Sequence, residues 1–303
     1  MILVADIGGT NCRLALGQGG ALLPGTLARL KVADFPGIAP ALDQYLAAQG
    51  APALTAACLA VAGPVLDGRV RLTNGGWTMA EATLSARLGC SVLLLNDLAA
   101  LGHALPHLPP GASQPLHLPE GPHPNGQALV LGLGTGANCA AVIRRPGQPP
   151  AILSAEAGHL SLPHALAVQL SRHIGPDLAA FPSVETLFAA RGLSRLHACL
   201  HGAALPPESL TSGAPDPGVR ATLDLFADLL GLWLQDLALA SLPRDGIWLA
   251  GSVAQGLVQA GHGAALVRSF ARPNENGGPI AAIPLHLITD DLAALTGCLA
   301  AAV

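Results

Sequence analysis

Residues 2–11 read Ile-Leu-Val-Ala-Asp-Ile-Gly-Gly-Thr-Asn, and this stretch decides the fold. A short apolar run that ends in paired glycines is typical of a buried strand entering a tight turn. An apolar pattern resumes at residues 13–16, so the sequence predicts a β-hairpin rather than a strand that feeds a helix. Glycine lets a backbone approach a ligand closely and turn its N–H groups towards an anion. The turn is therefore a candidate phosphate cradle, to which Thr10 adds a hydroxyl donor.

Asp6 is an unexpected residue beside such a cradle, because a carboxylate repels a phosphate unless a cation lies between them. Magnesium, held by Asp6 directly or through water, would neutralise the phosphates of a nucleotide. The alternative is a glycine-rich hairpin with a surface aspartate, and this stretch alone does not separate the two.

A second stretch, residues 128–139, repeats the order of apolar strand, Gly/Thr turn, Asn-Cys and strand. Recurrence of a motif at a distance is a mark of duplicated architecture. Two half-folds that each present a glycine hairpin would let two loops grip one polyphosphate. The sequence thus predicts a duplicated fold that binds a nucleotide.

Composition limits the classes of protein that remain. At 303 residues two domains are the expectation, and with 51% hydrophobic and 11% charged residues the chain is not disordered. A net charge of −4 gives no electrostatic reason to bind nucleic acid or an anionic membrane. The best candidate span, the uncharged residues 246–267, contains five glycines and fits a strand, a turn and a helix better than a membrane span.

No basic segment followed by an apolar core stands at the N-terminus, so we expect no secretion signal and a cytoplasmic protein. The six cysteines are scattered without a C-x-x-C pair. We therefore expect the cysteines to pack as small apolar residues, and neither a disulfide framework nor a zinc site.

Asn96 and Asp97 directly follow the apolar strand predicted at residues 91–95. Ligands of α/β sheets gather at the carboxyl ends of the strands, so both residues are candidate ligand contacts. The alternative is that Asn-Asp merely caps the helix that follows.

Three further polar residues are candidates in the second half. Glu156 and His159 form a Glu-x-x-His pattern, which could bind a metal, but metal-binding bundles need two copies and only one occurs. Paired donors and acceptors for a hydroxyl-rich ligand are the better interpretation, against a chance surface pair. Glu185 follows the predicted N-cap Ser183, where it fits a carboxylate that stabilises the helix dipole.

The remaining pattern predicts alternating strands and helices. Proline-rich residues 105–126 are predicted to be a loop or crossover near a domain boundary, and residues 73–77 a polar loop. Strands are predicted at 57–62, 246–250 and 283–288, a hairpin at 65–72, and helices at 38–48, 78–88, 166–174, 183–190, 194–200, 219–239 and 292–302.

Seven motifs, in family order along nearly the whole chain, carry a resemblance to a known family. They are DIGGTNCR (6–13), LTNGGW (72–77), LNDLAA (95–100), GLGTG (132–136), EAGH (156–159), SVETL (183–187) and WLAGS (248–252). On these motifs the sequence resembles the bacterial ATP-dependent glucokinases. Each motif alone is weak, but seven in order are specific.

The resemblance implies an α/β fold of the two-lobed, actin-like (ribonuclease H-like) kind, with duplicated mixed β-sheets flanked by helices and an interlobe cleft. The small lobe would be residues 1–108, joined by the C-terminal helix at about 289–303, and the large lobe residues 109–288. It further implies a cytoplasmic homodimer that acts in glycolysis, with a small-molecule sugar, ATP and Mg²⁺ as its ligands.

The resemblance also implies a role for each candidate residue. Asp97 would be the general base that orients the primary hydroxyl of the sugar in line with the γ-phosphoryl group. Sugar hydroxyls would be bound by Asn96, Asp97, Glu156, His159 and Glu185. Phosphates of the magnesium nucleotide would face Asp6, Gly8, Gly9, Thr10, Asn11, Gly134, Thr135 and Gly136, and Gly251 would border the adenosine pocket.

Three positions depart from the family pattern. Asn138 stands where a glycine is usual, Ser252 replaces the second glycine of the adenosine turn, and residues 189–192 replace a Ser-Gly segment. Asn tolerates positive φ better than other non-glycine residues. The resemblance places all three on the nucleotide side, so we expect them to affect the phosphate donor more than the sugar.

Two other functions remain open at this point. One is a kinase for another hexose; the repressor-type branch of sugar kinases usually carries a cysteine-rich zinc motif, which this chain lacks. The other is a non-catalytic sugar sensor, which the altered nucleotide positions permit and the presence of Asp6 and Asp97 disfavours.

Overall fold

The computed structural model describes residues 1–72, 76–121, 124–212, 216–273 and 278–302. The chain divides into two compact units, which we call unit 1 (residues 1–110 and 290–303) and unit 2 (residues 111–289). The boundaries expected from the sequence lie next to these. That the units are the small and large lobes of one enzyme stays a prediction.

Unit 1 begins with a mixed sheet and its covering helices. In chain order its elements are β1 (Ile2–Ile7), β2 (Asn11–Gln18), β3 (Ala21–Leu22), β4 (Ala28–Lys31), α1 (Ile38–Ala48), β5 (Ala56–Val61), β6 (Arg69–Arg71), β7 (Thr78–Ala80), α2 (Glu81–Leu88), β8 (Ser91–Asn96) and α3 (Asp97–Ala104).

The order of strands in this sheet is β3-β2-β1-β5-β8, and β4 also pairs with β2. β1 and β2 form the predicted antiparallel hairpin, whereas β1, β5 and β8 run parallel. β1 and β5 are buried along most of their length. Strands covered on both faces read as continuous apolar runs, which explains the sequence of both.

Unit 2 contains a second mixed sheet and most of the helices. Its strands are β9 (Ser113–His117), β10 (Gln127–Leu133), β11 (Ala137–Ile143), β12 (Ala151–Ser154), β13 (Ile247–Ala250) and β14 (Leu285–Ile288). Its helices are α4 (His164–Ile174), α5 (Val184–Phe188), α6 (Ala190–His201), α7 (Pro207–Thr211), α8 (Pro217–Ser241), α9 (Ser252–Gln259), α10 (Gly263–Phe270) and α11 (Gly278–Ala281).

The second sheet has the order β12-β11-β10-β13-β14-β9. Its β10–β11 hairpin is antiparallel and its β10, β13 and β14 are parallel, which repeats the arrangement of unit 1. The predicted duplication of mixed α/β sheets is therefore confirmed. The core of this unit lies between the sheet and α8, where the ring of Trp233 stacks on Phe188 with centroids 5.1 Å apart.

The last helix, α12 (Ala293–Ala301), returns to unit 1. Its Leu295 and Cys298 pack with Val4, Ala60 and other small side chains in a separate apolar cluster. Contact with α3 is close, because a Cβ at Gly297 would lie 1.7 Å from the carbonyl oxygen of Ala100. A glycine is therefore required at this crossing.

Two of the predicted elements are wrong. The helix predicted at residues 78–88 begins only at Glu81, because Thr78–Ala80 pair with β6 as the strand β7. The loop predicted at residues 105–126 contains β9, an edge strand that pairs with β14 and tolerates Pro115 in its interior. Proline is tolerated in edge strands because one side of such a strand needs no N–H donors.

Other local predictions are confirmed or fall outside the described residues. Ser183 is the N-cap of α5 and forms a capping box with Thr186. Residues 73–75 of the predicted polar loop lie outside the described residues. Among the described helices, none combines the length and apolar character needed to cross a membrane.

Four of the six cysteines are buried and pack as small apolar residues. All six are free thiols. Burial raises the pKa of Cys12 to about 12 and that of Cys139 to about 11. Both thiols follow a glycine turn and stay protonated near neutral pH, so they contribute packing rather than a nucleophile.

Candidate active site

In unit 1 the register of the sheet brings the candidate residues together at the carboxyl ends of the parallel strands. Ile7 pairs with Val61 and Val61 with Asn96, so the parallel strands β1, β5 and β8 end level with one another. The turn at residues 8–10 follows β1, and the pair Asn96–Asp97 lies at the end of β8. One strand, β5, separates β1 from β8, so their axes are about 10 Å apart. This edge is where α/β sheets bind ligands.

The first glycine turn is tight and has an open surface. The N–H of Gly8 donates to the carbonyl of Asn11 at 2.9 Å, and Thr10 and Asn11 are exposed. A Cβ at Gly8 would meet its nearest atom at 3.5 Å, an ordinary contact. Sterics within the unit do not explain this glycine, which is consistent with the predicted close approach of a ligand to the Gly8-Gly9 backbone.

Asp6 has a partner that the sequence reasoning did not assign. Asp6 and Arg13 are opposite residues of the hairpin, and Arg13 Nη1 donates to Asp6 Oδ2 at 2.8 Å. Arg13 Nη2 also lies 3.9 Å from Asp291, which Arg29 binds at 2.6 Å. Burial raises the pKa of Asp6, and the guanidinium of Arg13 opposes that rise. The hairpin itself thus supplies a positive charge, the guanidinium of Arg13, beside the carboxylate of Asp6.

The residues at this edge fit a magnesium ion that keeps its waters. Arg13 binds one oxygen of Asp6, whose side chain is 17% exposed. A carboxylate has a second oxygen that can accept from a water bound to the ion. Among the described residues no group of three or more His, Cys, Asp or Glu could hold a metal. Magnesium with a nucleotide needs only one or two carboxylates, since phosphates and water supply its other ligands.

Asn96 and Asp97 act as the cap of α3, the alternative that the sequence left open. Asn96 Oδ1 accepts from the N–H of Leu98 at 3.0 Å, and Asp97 Oδ1 accepts from the same N–H at 2.9 Å. Asn96 Nδ2 donates to the carbonyl of Gly63 at 3.1 Å. These bonds fix both side chains at the sheet edge, and capping does not exclude contact with a ligand.

In unit 2 the second glycine turn lies beside the end of β13. Gly132 pairs with Ala250, and a Cβ at Gly251 would lie 2.3 Å from the carbonyl oxygen of Leu133. The φ of Gly251 is +96°, a conformation that other residues rarely adopt. The second glycine turn and Gly251 therefore lie next to each other, and their contact with a nucleotide stays a prediction.

Glu185 binds this turn directly. Its Oε2 accepts from the N–H of Ala137 at 3.2 Å, and a Cβ at Gly136 would lie 2.7 Å from the same oxygen. A Cβ at Gly158 would come within 1.9 Å of the carbonyl oxygen of Ala137. These close contacts bring the segment that carries Glu156 and His159 against the start of β11.

The backbone of Asn138 differs from the conformation considered for it in the sequence. Asn138 lies in β11 with an extended backbone, and not in the positive-φ conformation considered for it. Its Nδ2 donates to Glu156 Oε2 at 3.0 Å. His159 Nε2 is 3.9 Å from that same oxygen. Asn138 therefore contacts a residue that the resemblance assigns to the sugar, and its expected effect on the phosphate donor stays a prediction.

The other two departures lie beside the second glycine turn. The N–H of Ala190 donates to the carbonyl of Gly134 at 2.8 Å, and Ser252 Oγ lies 3.9 Å from a Cβ placed on Gly134. Residues 189–192 are also where α5 ends and α6 begins. The helices predicted at 183–190 and 194–200 therefore meet at Ala189 without an intervening loop.

Sequence reasoning missed Arg13 and the donors of β11. A hairpin closed by residues 8–10 places Asp6 opposite Arg13, so the register was a usable signal for that pair. The donors Ala137 N–H and Asn138 Nδ2 meet acceptors 48 and 18 residues away along the chain. No local pattern indicates contacts of that kind.

Comparison with solved structures identifies the class of protein to which the fold belongs. A glucokinase from an Antarctic psychrotroph superposes with a TM-score of 0.81 at 28% identity, covering 99% of this chain and 98% of that one. A ROK family glucokinase from Streptomyces griseus, solved with glucose and AMPPNP, has a TM-score of 0.68 at 19% identity, covering 99% of both, and shares the fold. The fold is that of the sugar kinases.

The sequence comparison is more specific. The family model described as Glucokinase matches residues 3–303. The glucokinase of Cupriavidus pinatubonensis is 32% identical over 312 residues, covering 97% of this chain and 90% of that protein. This chain belongs to the glucokinase family.

Proposed function

We propose that this protein transfers the γ-phosphoryl group of ATP to the 6-hydroxyl of glucose, giving glucose 6-phosphate and ADP. The observation that supports this most is the level register of β1, β5 and β8. Because of this register, Asp97 and the glycine turn that we assign to phosphates both lie at the carboxyl ends of the parallel strands. A base and a phosphate cradle at one edge are the parts that phosphoryl transfer to an alcohol requires.

In this proposal Asp97 accepts a hydrogen bond from the 6-hydroxyl, aims its oxygen in line with the γ-phosphorus, and takes its proton as the new P–O bond forms. The bonds to Leu98 N–H and from Asn96 to Gly63 hold both side chains in place. Asn96 Nδ2 carries a second hydrogen, which we assign to a sugar oxygen.

Glu156, His159 and Glu185 bind other hydroxyls of the same sugar, because carboxylates accept from hydroxyls and an imidazole can donate or accept. We assign the phosphates to Gly8, Gly9, Thr10, Asn11, Gly134, Thr135 and Gly136, and the adenosine to Gly251. Asp6 would hold magnesium through water, and that ion would neutralise charge on the phosphates.

The assembly and location that go with this activity are also proposals. We propose a homodimer in the cytoplasm, where it feeds glycolysis with a phosphorylated hexose. Sedimentation of the purified protein tests the dimer, and a single species of monomer mass at micromolar concentration would overturn it.

The activity is tested by coupling glucose 6-phosphate formation to NADPH, across a panel of hexoses and phosphate donors. We expect the highest kcat/KM with glucose and ATP. A higher value with another hexose would make this a kinase for that sugar. The proposal fails if no hexose gives product and Asp97→Asn keeps full activity on some other substrate. Calorimetric binding of sugar without binding of an ATP analogue and Mg²⁺ would instead identify a sugar sensor.

A further inference from the structure

We propose that Asn138 is a positioning residue for sugar recognition: its amide holds the carboxylate of Glu156 ready for a sugar hydroxyl, and so sets the affinity for the sugar rather than for the nucleotide. This inference rests on the proposed function, since it takes Glu156 to be a sugar ligand.

The amide of Asn138 is fixed at both ends. Its Oδ1 accepts from the N–H of Cys139 at 2.8 Å, and its Nδ2 donates to Glu156 Oε2 at 3.0 Å. A backbone N–H can only donate and a carboxylate can only accept, so neither end of the amide can be exchanged. The orientation of the donor is therefore determined by the backbone of β11.

Glu156 is a side chain that benefits from such a donor. It is 51% exposed, and a glutamate in that environment samples several rotamers unless a partner selects one. Asn138 occupies Oε2, which leaves Oε1 to accept from a hydroxyl. A carboxylate that is already ordered loses less conformational entropy when the ligand binds, and affinity rises accordingly.

The start of β11 also binds a second carboxylate, that of Glu185. The N–H of Ala137 binds Glu185, and the next residue along binds Glu156. The side chain of Ala137 is buried in the core, so the alternation of a strand turns the side chain of Asn138 to the opposite face. A glycine at position 138 has no side chain to make this bond. The bond is thus a feature that this residue gives the chain.

The experiment measures KM for glucose, KM for ATP and kcat, and the dissociation constant of glucose by calorimetry, for Asn138→Ala and Asn138→Asp. We expect Asn138→Ala to raise the KM and the dissociation constant of glucose about threefold to tenfold, the factor of one hydrogen bond to a charged group in a half-exposed site. Asn138→Asp keeps the shape and the bond to Cys139 but opposes two carboxylates, so we expect a larger rise. KM for ATP should change less than about twofold.

A matched control is Gln169→Ala, which removes another amide–carboxylate contact of unit 2, from Gln169 Nε2 to Asp228 Oδ2 at 3.4 Å. It should leave the glucose affinity unchanged. Circular dichroism and thermal unfolding check that each variant is folded. If a folded Asn138→Ala raises KM for ATP and leaves glucose affinity as in the wild type, the inference is overturned.

Glu156→Gln separates this inference from the proposed function. If Glu156→Gln leaves glucose affinity unchanged, Glu156 does not bind the sugar and the inference about Asn138 fails, whereas the proposed function still stands if glucose 6-phosphate is formed. If it weakens glucose binding while Asn138→Ala does not, only the inference about Asn138 fails. If both weaken binding, the double variant should bind glucose no more weakly than Glu156→Gln alone, because the two act through one carboxylate.

Discussion

The two glycine hairpins have the same backbone pattern but opposite arrangements of charge. In the β1–β2 hairpin the acid belongs to the hairpin itself, and Asp6 pairs with Arg13 directly across the strands. The β10–β11 hairpin contains no acidic residue, and its second strand instead binds two carboxylates from elsewhere, Glu185 and Glu156. One hairpin carries its own ion pair, whereas the other supplies hydrogen-bond donors.

This difference indicates how a duplicated element acquires two tasks. Both turns are assigned to phosphates in our proposal. The second strand of the β10–β11 hairpin has the additional task of holding two carboxylates that we propose for sugar hydroxyls. We therefore expect substitutions in unit 1 to change catalysis and stability, and substitutions beside the second hairpin to change sugar affinity. Four predictions test that contrast, in order of expected effect.

Asp97→Asn should have the largest effect. The amide keeps the size and the cap of α3 but cannot take a proton, so we expect kcat to fall by about 10²- to 10⁴-fold. Glucose binding, measured by calorimetry, should stay within about threefold of the wild type. Asp34→Asn, an exposed aspartate of the same unit, is the control. A kcat within tenfold of the wild type would contradict the role of Asp97 as the base.

Arg13→Met should destabilise unit 1, because it leaves the carboxylate of Asp6 mostly buried and without its guanidinium partner. We expect the free energy of unfolding to fall by about 2 kcal/mol, less than for a fully buried pair because the side chains are 30% and 17% exposed. The double variant with Asp6→Asn should recover much of that loss. Arg87→Met, which breaks an exposed pair with Asp43, should lower the free energy of unfolding in urea much less than Arg13→Met does. Equal losses for both arginines would show that the hairpin pair is an ordinary surface contact.

Gly136→Ala and Gly8→Ala compare the two turns directly. A Cβ at Gly136 lies 2.7 Å from Glu185 Oε2 and must displace that carboxylate, so we expect KM for glucose to rise about threefold to tenfold. A Cβ at Gly8 makes only an ordinary contact within its unit, so KM for glucose should not change. Steady-state kinetics with glucose varied at saturating ATP measure both. The contrast disappears if both variants raise KM for glucose equally.

The smallest effect is on stability in acid. Burial lowers the pKa of His197 and His286 in unit 2 and of His103 in unit 1. Below the pKa of an unfolded histidine, about 6.5, the unfolded chain binds more protons than the folded one, so stability falls as pH falls. We expect the unfolding temperature to be a few degrees lower at pH 5.5 than at pH 7.5.

His197→Leu should remove part of this pH dependence. The histidine is buried and its Nδ1 lies 2.9 Å from Thr222 Oγ1, which donates to the carbonyl of Gly218. Thr222 therefore keeps a partner in the variant, and the apolar side chain suits the site. An unchanged slope of unfolding temperature against pH would show that His197 does not titrate in this range.

The sequence was sufficient for features that depend on local pattern. Apolar runs ending in Gly-Gly-Thr and Gly-Thr-Gly predict both hairpins, because strand burial and turn chemistry are encoded within about ten residues. The N-cap Ser183 and the helix at residues 38–48 were found in the same way. At Thr78–Ala80 a helical pattern was overridden by pairing with β6, a contact between segments that local spacing does not show.

The contacts within the candidate site needed the tertiary structure. The Asp6–Arg13 pair follows from hairpin register, but its burial follows from the sheet as a whole. The approach of Asn138 to Glu156 depends on a Cβ at Gly158 being absent, since it would lie 1.9 Å from the backbone of Ala137. The family pattern did not indicate this contact, because it records which residue is usual at a position and not which atoms that residue meets.

The return of α12 to unit 1 also bears on how the protein is made. Val4, Cys58 and Ala60 share their apolar cluster with Leu295 and Cys298, which the ribosome adds more than two hundred residues later. Residues 111–289 contain all six strands of their own sheet and can reach their native contacts while that cluster still lacks its cover. During biosynthesis unit 2 would therefore complete its fold before unit 1. The N-terminal sheet would stay partly uncovered until α12 is synthesised.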